Sequence, residues 1–466
     1  MATSSLLIAR SGVSDPTAGA LLGASLILFA GSAASAQTLP GANLSFQNNL
    51  GTNVTLLTPT SLPLTQFASV AVNPANPNDI YFTTRGTTRG GEANPSGGFF
   101  RSLDGGATFE RTSGDVGVFD NGEDSFGITA ARPDRIIVVQ EDPARSASRV
   151  NVSFDRGATF VRGATNAPPL FNNIISVEVS PTDPDTVFIG GDSGTYVSFD
   201  GGFTIERAPE PLVSEAPAGN FAPVPSIASS VSADGTANVF LGSRQRPAGF
   251  FRSDDNGQSF EFSANGLTVF PNNQGPRSAA ETIATADSAP DRVYVGLFLD
   301  SALRIFRSDN AGGDFRQLDT TAVQSDLVPR GFSNTVTDFA VDPLDADRFV
   351  FTTTNSQVLF SEDGGESFTD LGFLFRDISL DDAGQVRVET ALGEVRTGRS
   401  PLLALSTTGG GRGFGAFNVV FDPNDRNRVF VSTSTGLFAV AVPEPATGLV
   451  MASVAGLALL RRQRAG

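Results

Sequence analysis

Two groups of side chains in this chain have types and spacing that suit chemistry. Asp115, Asp120, Glu123 and Asp124 crowd one segment, and Glu141 and Asp142 follow one predicted loop later. Carboxylates placed in pairs serve as general acid and base in glycoside cleavage. Arg85, Arg89, Arg145, Arg244 and Arg246 lie in further segments between predicted strands. Their guanidinium forks match carboxylates such as those of an acidic polysaccharide. The bland alternative is that these charges keep loops solvated. Asp120-Asn-Gly-Glu123-Asp124 is too irregular for an EF-hand loop, so Ca²⁺ is allowed rather than required and no other cofactor is expected.

What is missing narrows the chemistry further. The 466 residues include no His and no Cys, and every one of the 32 basic residues is Arg. A Ser-His-Asp triad, a cysteine nucleophile, a Schiff-base lysine and a His-ligated zinc are all excluded. No disulfide staples the fold, so a large core must suffice. A net charge of -17 disfavours phosphate backbones, and nucleic acid is not an expected partner.

The elements that must position these residues repeat along the chain. Six segments follow Ser-x-Asp-x-Gly-x-Thr/Ser-Phe, with the third residue at Asp104, Asp155, Asp200, Asp255, Asn310 and Asp363. Their glycines are separated by 51, 45, 55, 55 and 53 residues, which suits one four-stranded blade per repeat. Asp caps backbone N–H groups of a tight turn, Gly accepts positive φ, and the Phe anchors the hairpin in the core. The fifth copy departs, with Asn310 and Asp314. A second signature, an apolar strand, a Pro/Asp/Asn turn and another apolar strand, occurs seven times, as in residues 70–84, 177–191 and 419–433. Both faces of these strands read as apolar, as in blades stacked between neighbours. The seventh unit lacks a hairpin, and Ala42–Leu57 is expected to supply its missing strand. A surplus near 372–410 reads as a long loop, an added hairpin or a degenerate eighth blade.

These boxes resemble the Asp-box, or BNR repeat, of sialidases and sortilin-type receptors. The resemblance implies an all-β propeller over 37–441 and implies that the box Asp residues are structural; the seven a–b units make the expected fold a seven-bladed β-propeller. Strand parity puts the a–b turns and box hairpins on one face. The longer b–c and d–a loops, with the candidate site, fall on the other.

Both termini read as addresses. Arg10, the apolar run Ala18–Ala30 and Ala34-Ser35-Ala36 fit a secretory signal peptide over 1–36. The C-terminal 442–466 carries Pro443-Glu444-Pro445, an apolar segment, then Arg461-Arg462. This tail resembles the PEP-CTERM sorting signal of Gram-negative bacteria. That resemblance implies handling by an exosortase-type membrane protease, display at the cell surface, and membrane contact only through the tail. Its apolar segment, expected to be helical, is short for a full span.

The expected function is an exported binding or scaffold propeller that engages exopolysaccharide. The alternatives are a secreted glycoside hydrolase using Asp120 with Glu141 or Asp142, and a protein-binding sortilin-like or assembly-factor propeller. Tyr81, Tyr196 and Tyr294 sit in or beside predicted strands, which counts against a sialidase Tyr nucleophile.

Overall fold

The computed structural model describes residues 38–59, 67–84, 98–112, 125–142, 147–164, 174–191, 194–208, 224, 226–243, 249–263, 265–267, 279–299, 302–323, 335–380, 386–398, 416–433 and 435–444. Alternating apolar stretches broken by Gly, Pro and Asp turns form antiparallel meanders, strands a to d, in seven blades. Blade 1 shows the pattern: a is Phe67–Val72, b Ile80–Thr84, c Gly98–Ser102 and d Thr108–Arg111. Strand a pairs only with b inside its blade, and it packs against strands a and b of the neighbouring blades.

The expected closure is present. Strands a, b and c of blade 7 are Ala416–Asp422, Asp425–Thr433 and Leu437–Ala441. Strand d comes from the other end of the chain: Asn53–Leu56 pairs with strand c, Val54 opposite Val440. Leu44–Gln47 adds a fifth strand outside it, and Thr38–Pro40 pairs with strand d of blade 1, Leu39 opposite Phe109. The N-terminal segment therefore joins the first and last blades. Among its described residues, the surplus region is more than a simple loop. Asp377–Leu380, Val386–Glu389 and Val395–Gly398 form a separate three-stranded sheet. The N-terminal hairpin turn docks beside it, where Asn48 donates to the carbonyls of Leu371 (2.7 Å) and Phe373 (3.1 Å).

The core lies between blades. Val54, Val429, Val440 and Phe438 of blade 7 cluster with Val350, Val358 and Phe360 of blade 6. The box glycines serve this packing. Gly312 has φ of +80°, and a Cβ there would lie 2.2 Å from the Phe250 ring of the preceding blade. No other residue fits both demands.

Candidate functional site

Each box is a closed hydrogen-bond circuit. In the first, Ser102 Oγ donates to Asp104 Oδ1 (2.7 Å) and accepts from the Gly106 amide (2.8 Å). Asp104 then accepts from the Thr108 amide (2.9 Å) and hydroxyl (2.6 Å). Burial alone would raise the Asp104 pKa, but the bonds from Thr108 and Ser102 outweigh it and hold the carboxyl below its ordinary range. The fifth box reverses donor and acceptor. Asn310 Nδ2 donates to Asp314 Oδ2 (3.1 Å), while Asn310 Oδ1 accepts from the Asp314 amide (2.9 Å). In all six, the residue after the Asp position donates its amide to strand b or the turn before it, as Gly105 does to Asn78 (2.9 Å) and Gly364 to Asp347 (2.8 Å). That bond puts boxes and a–b turns on one face, as expected.

Arginines fasten neighbouring blades. Arg101, Arg252 and Arg307 each precede a box serine and reach carbonyls of the next blade's box, Arg307 to Gly364 at 2.9 Å. Arg156 clasps Asp79 of blade 1, which is 1 % exposed. This use suits a guanidinium, whose planar fork satisfies several acceptors at once.

The innermost strands, apolar on both faces by their sequence pattern, also hold polar groups. Irregularities at Val336/Asp338, Ala280/Thr282 and Ala416/Asn418 turn these side chains toward the next blade. Ile227 N donates to Ser176 Oγ (3.1 Å), and Ile283 N donates to Ser226 Oγ (3.0 Å). Asp338 accepts from Thr282 Oγ1 (3.2 Å), Asn418 Nδ2 (2.6 Å) and Val419 N (2.9 Å). Asn418 Oδ1 in turn accepts from Val70 N (2.9 Å). A belt of side-chain bonds thus runs round the channel wall from blade 3 to blade 1.

Two carboxyls in this wall are strongly perturbed. Burial pushes Glu178, in blade 3, up to about 7, against the hydrogen bond from Ser229 Oγ (2.5 Å); the Asp287 charge adds to the rise. Burial pushes Asp338, in blade 6, up to about 6, against the bonds from Val419, Asn418 and Thr282. In a ring of seven, three blades is the widest separation, and each carboxyl has its own donors. The three tyrosines are fully buried between blades. Burial raises the Tyr81 phenol to about 12 and moves Tyr294, whose hydroxyl donates to Ala346 O (2.7 Å), still further up.

Of the sequence-predicted site, only Glu141 and Asp142 are described, by their backbone. They end strand b of blade 2, opposite Ser148 and Ala147, rather than lying in a loop. Arg85, Arg89, Asp120, Glu123, Asp124, Arg145, Arg244 and Arg246 lie outside the described residues. So do Pro445, Arg461 and Arg462 of the tail. Among the described residues, no three acidic side chains gather as a metal site. Glu178 and Asp338 went unnoticed in the sequence, although an acid inside an apolar strand, as in SVEVS and TDFAV, was their signal.

No family model matches this chain, and no curated protein matches it. Solved structures do. It is 16 % identical to the GH74 xyloglucanase of Xanthomonas campestris, with a TM-score of 0.53 over 89 % of this chain and 54 % of that one. The GH74 enzyme of Niastella koreensis is similar at 16 % identity and a TM-score of 0.51, over 86 % of this chain and 53 % of that one. YCF48 from Cyanidioschyzon merolae matches at 13 % identity and a TM-score of 0.50, over 84 % and 98 %. The likeness is one of fold. This chain spans about half the length of the GH74 enzymes it matches.

Proposed function

We propose that this protein is an exported propeller, sorted to the cell surface through its tail by an exosortase-type protease, that binds polysaccharide rather than cleaving it. One observation carries the preference. The perturbed carboxyls of the channel wall sit three blades apart and are each tied to the next blade's donors. They stiffen a ring rather than face one another across a scissile bond, and a rigid ring is a good platform for loops that recognise a ligand. Binding is assigned to the b–c and d–a loops, with Arg85, Arg89, Arg145, Arg244 and Arg246 as the carboxylate grip.

The competing reading is a secreted hydrolase. The acidic residues from Asp120 to Asp142 and the propeller of the GH74 enzymes favour it. A protein-binding role like an assembly factor's has only the fold shared with YCF48 behind it. The deciding experiment incubates the purified protein with neutral and acidic polysaccharides. Retarded migration in a gel containing an acidic polymer, without new reducing ends, is expected. Release of reducing ends that is lost in Glu141→Gln or Asp120→Asn would replace binding with hydrolysis.

A further inference from the structure

The last described residues leave the propeller under tight restraint. Val442 is 5 % exposed and prolongs strand c of blade 7, its amide donating to Asn427 O (2.8 Å). The next carbonyl, that of Pro443, accepts from the Arg348 guanidinium at 2.9 Å. Arg348 belongs to blade 6, is 1 % exposed, and is held by the buried Asp342 carboxylate at 2.8 Å, which also accepts from Arg426 Nε at 2.7 Å. The chain therefore exits between blades 6 and 7, on the face of the a–b turns. Only Glu444 and Pro445 then separate Pro443 from Ala446, the first residue of an uncharged run to Leu460. An extended chain covers about 3.5 Å per residue, so Ala446 begins within about 10 Å of Pro443.

That same face carries exposed apolar side chains. Leu344, in the a–b turn of blade 6 beside the exit, is 72 % exposed. Leu103, Phe154 and Phe199 occupy the second position of boxes 1 to 3 and are also exposed. The Phe154 ring lies parallel to that of Phe203, 6.2 Å away. Boxes 4 to 6 put Asp254, Asp309 and Glu362 at this position. Exposed apolar groups in blades 1, 2, 3 and 6 of one face suit contact with another apolar phase.

We infer that, while the tail is held in a membrane, the disc stands with its a–b and Asp-box face against the lipid surface and its loop face turned outward. This rests on the tail reading proposed above and adds an orientation to it: the short tether prevents the disc from turning over. The loops assigned to ligand binding then point away from the cell. With a net charge of -17, the lipid contact is made through apolar groups rather than through anionic headgroups.

The chain has no Cys, so single labels can be placed without removing any. The full chain carrying Leu344→Cys, Phe199→Cys or Thr435→Cys, the last in the b–c turn of blade 7, is labelled with an environment-sensitive fluorophore. It is then reconstituted into phosphatidylcholine vesicles bearing a quencher at the headgroup. Quenching at the first two positions and not at Thr435→Cys is expected. Ten Gly-Ser residues inserted between Glu444 and Pro445, spanning about 17 Å as a random coil, should abolish that contrast while the protein still sediments with vesicles. Quenching of Thr435→Cys as strong as that of Leu344→Cys would overturn the orientation and leave the tail reading intact. Failure of the full chain to sediment with vesicles would overturn both.

Discussion

At the scale of the residue, the fifth box reports on the other five. Asp paired with a Thr or Ser hydroxyl needs the hydroxyl to donate, and Asn310 paired with Asp314 makes the amide donate instead. The circuit closes either way because one partner always supplies a hydrogen. Asn310→Asp would set two carboxylates against each other at that contact. On an exposed turn the expected cost is about 1 kcal/mol, read as a lower denaturation midpoint. Adding Asp314→Ser to that variant recreates the pairing of Asp255 with Ser259 and should recover most of the loss. Additive losses in the double-mutant cycle would mean that these positions do not communicate, and the circuit would be no more than a coincidence of geometry.

At the scale of the element, the contrast between box hairpins and inner strands explains what the sequence made legible. A box closes within eight residues, and its a–b partner lies in the same repeat, so the pattern is local. The channel belt is not. Asp338 bonds to Asn418 and Val419 some 80 residues on, and Ser176 to Ile227 51 residues on. Only the stacking of neighbouring blades juxtaposes those positions, and β-bulges shift the alternation that would have marked them. The candidate loops were legible as charge but not as geometry, since nothing periodic fixes where Arg85 or Asp120 points.

The belt has a consequence for pH. Glu178 titrates at about 7 in the fold against an ordinary 4.5, so between those values the unfolded chain gives up a proton that the native state keeps. Stability from this group is therefore present at low pH and falls as pH rises through that window. Glu178→Gln removes the titration while an acceptor for Ser229 remains. The variant should gain melting temperature over the parent at pH 8, by a few degrees at most for a domain this large, and lose that advantage by pH 5. Parallel melting curves from pH 5 to pH 8 would show that the carboxyl is free to ionise in the fold.

At the scale of the whole molecule, stability depends on a ring that only the two ends of the chain can close. Strand c of blade 7 contributes the buried Leu437, Phe438 and Val440, and its outer hydrogen bonds go to residues 54–57. Those residues are made before blade 1 and must wait for strand c of blade 7, a contact of long sequence separation, Val54 with Val440. Until they pair, strand c is an apolar edge open to other chains. Deleting residues 37–57 should therefore promote self-association, seen as rising light scattering at temperatures where the parent is clear. Val54→Asp tests the same joint at full length. Val54 is fully buried opposite Val440, and an unpaired carboxylate there costs several kcal/mol. Both variants should also expose the segment after Thr433 to proteolysis ahead of blades 2 to 5, because the joint fails first at the blade it completes. If blade 7 were held by its face against blade 6 alone, the truncated chain would scatter no more light than the parent, with its digestion pattern unchanged.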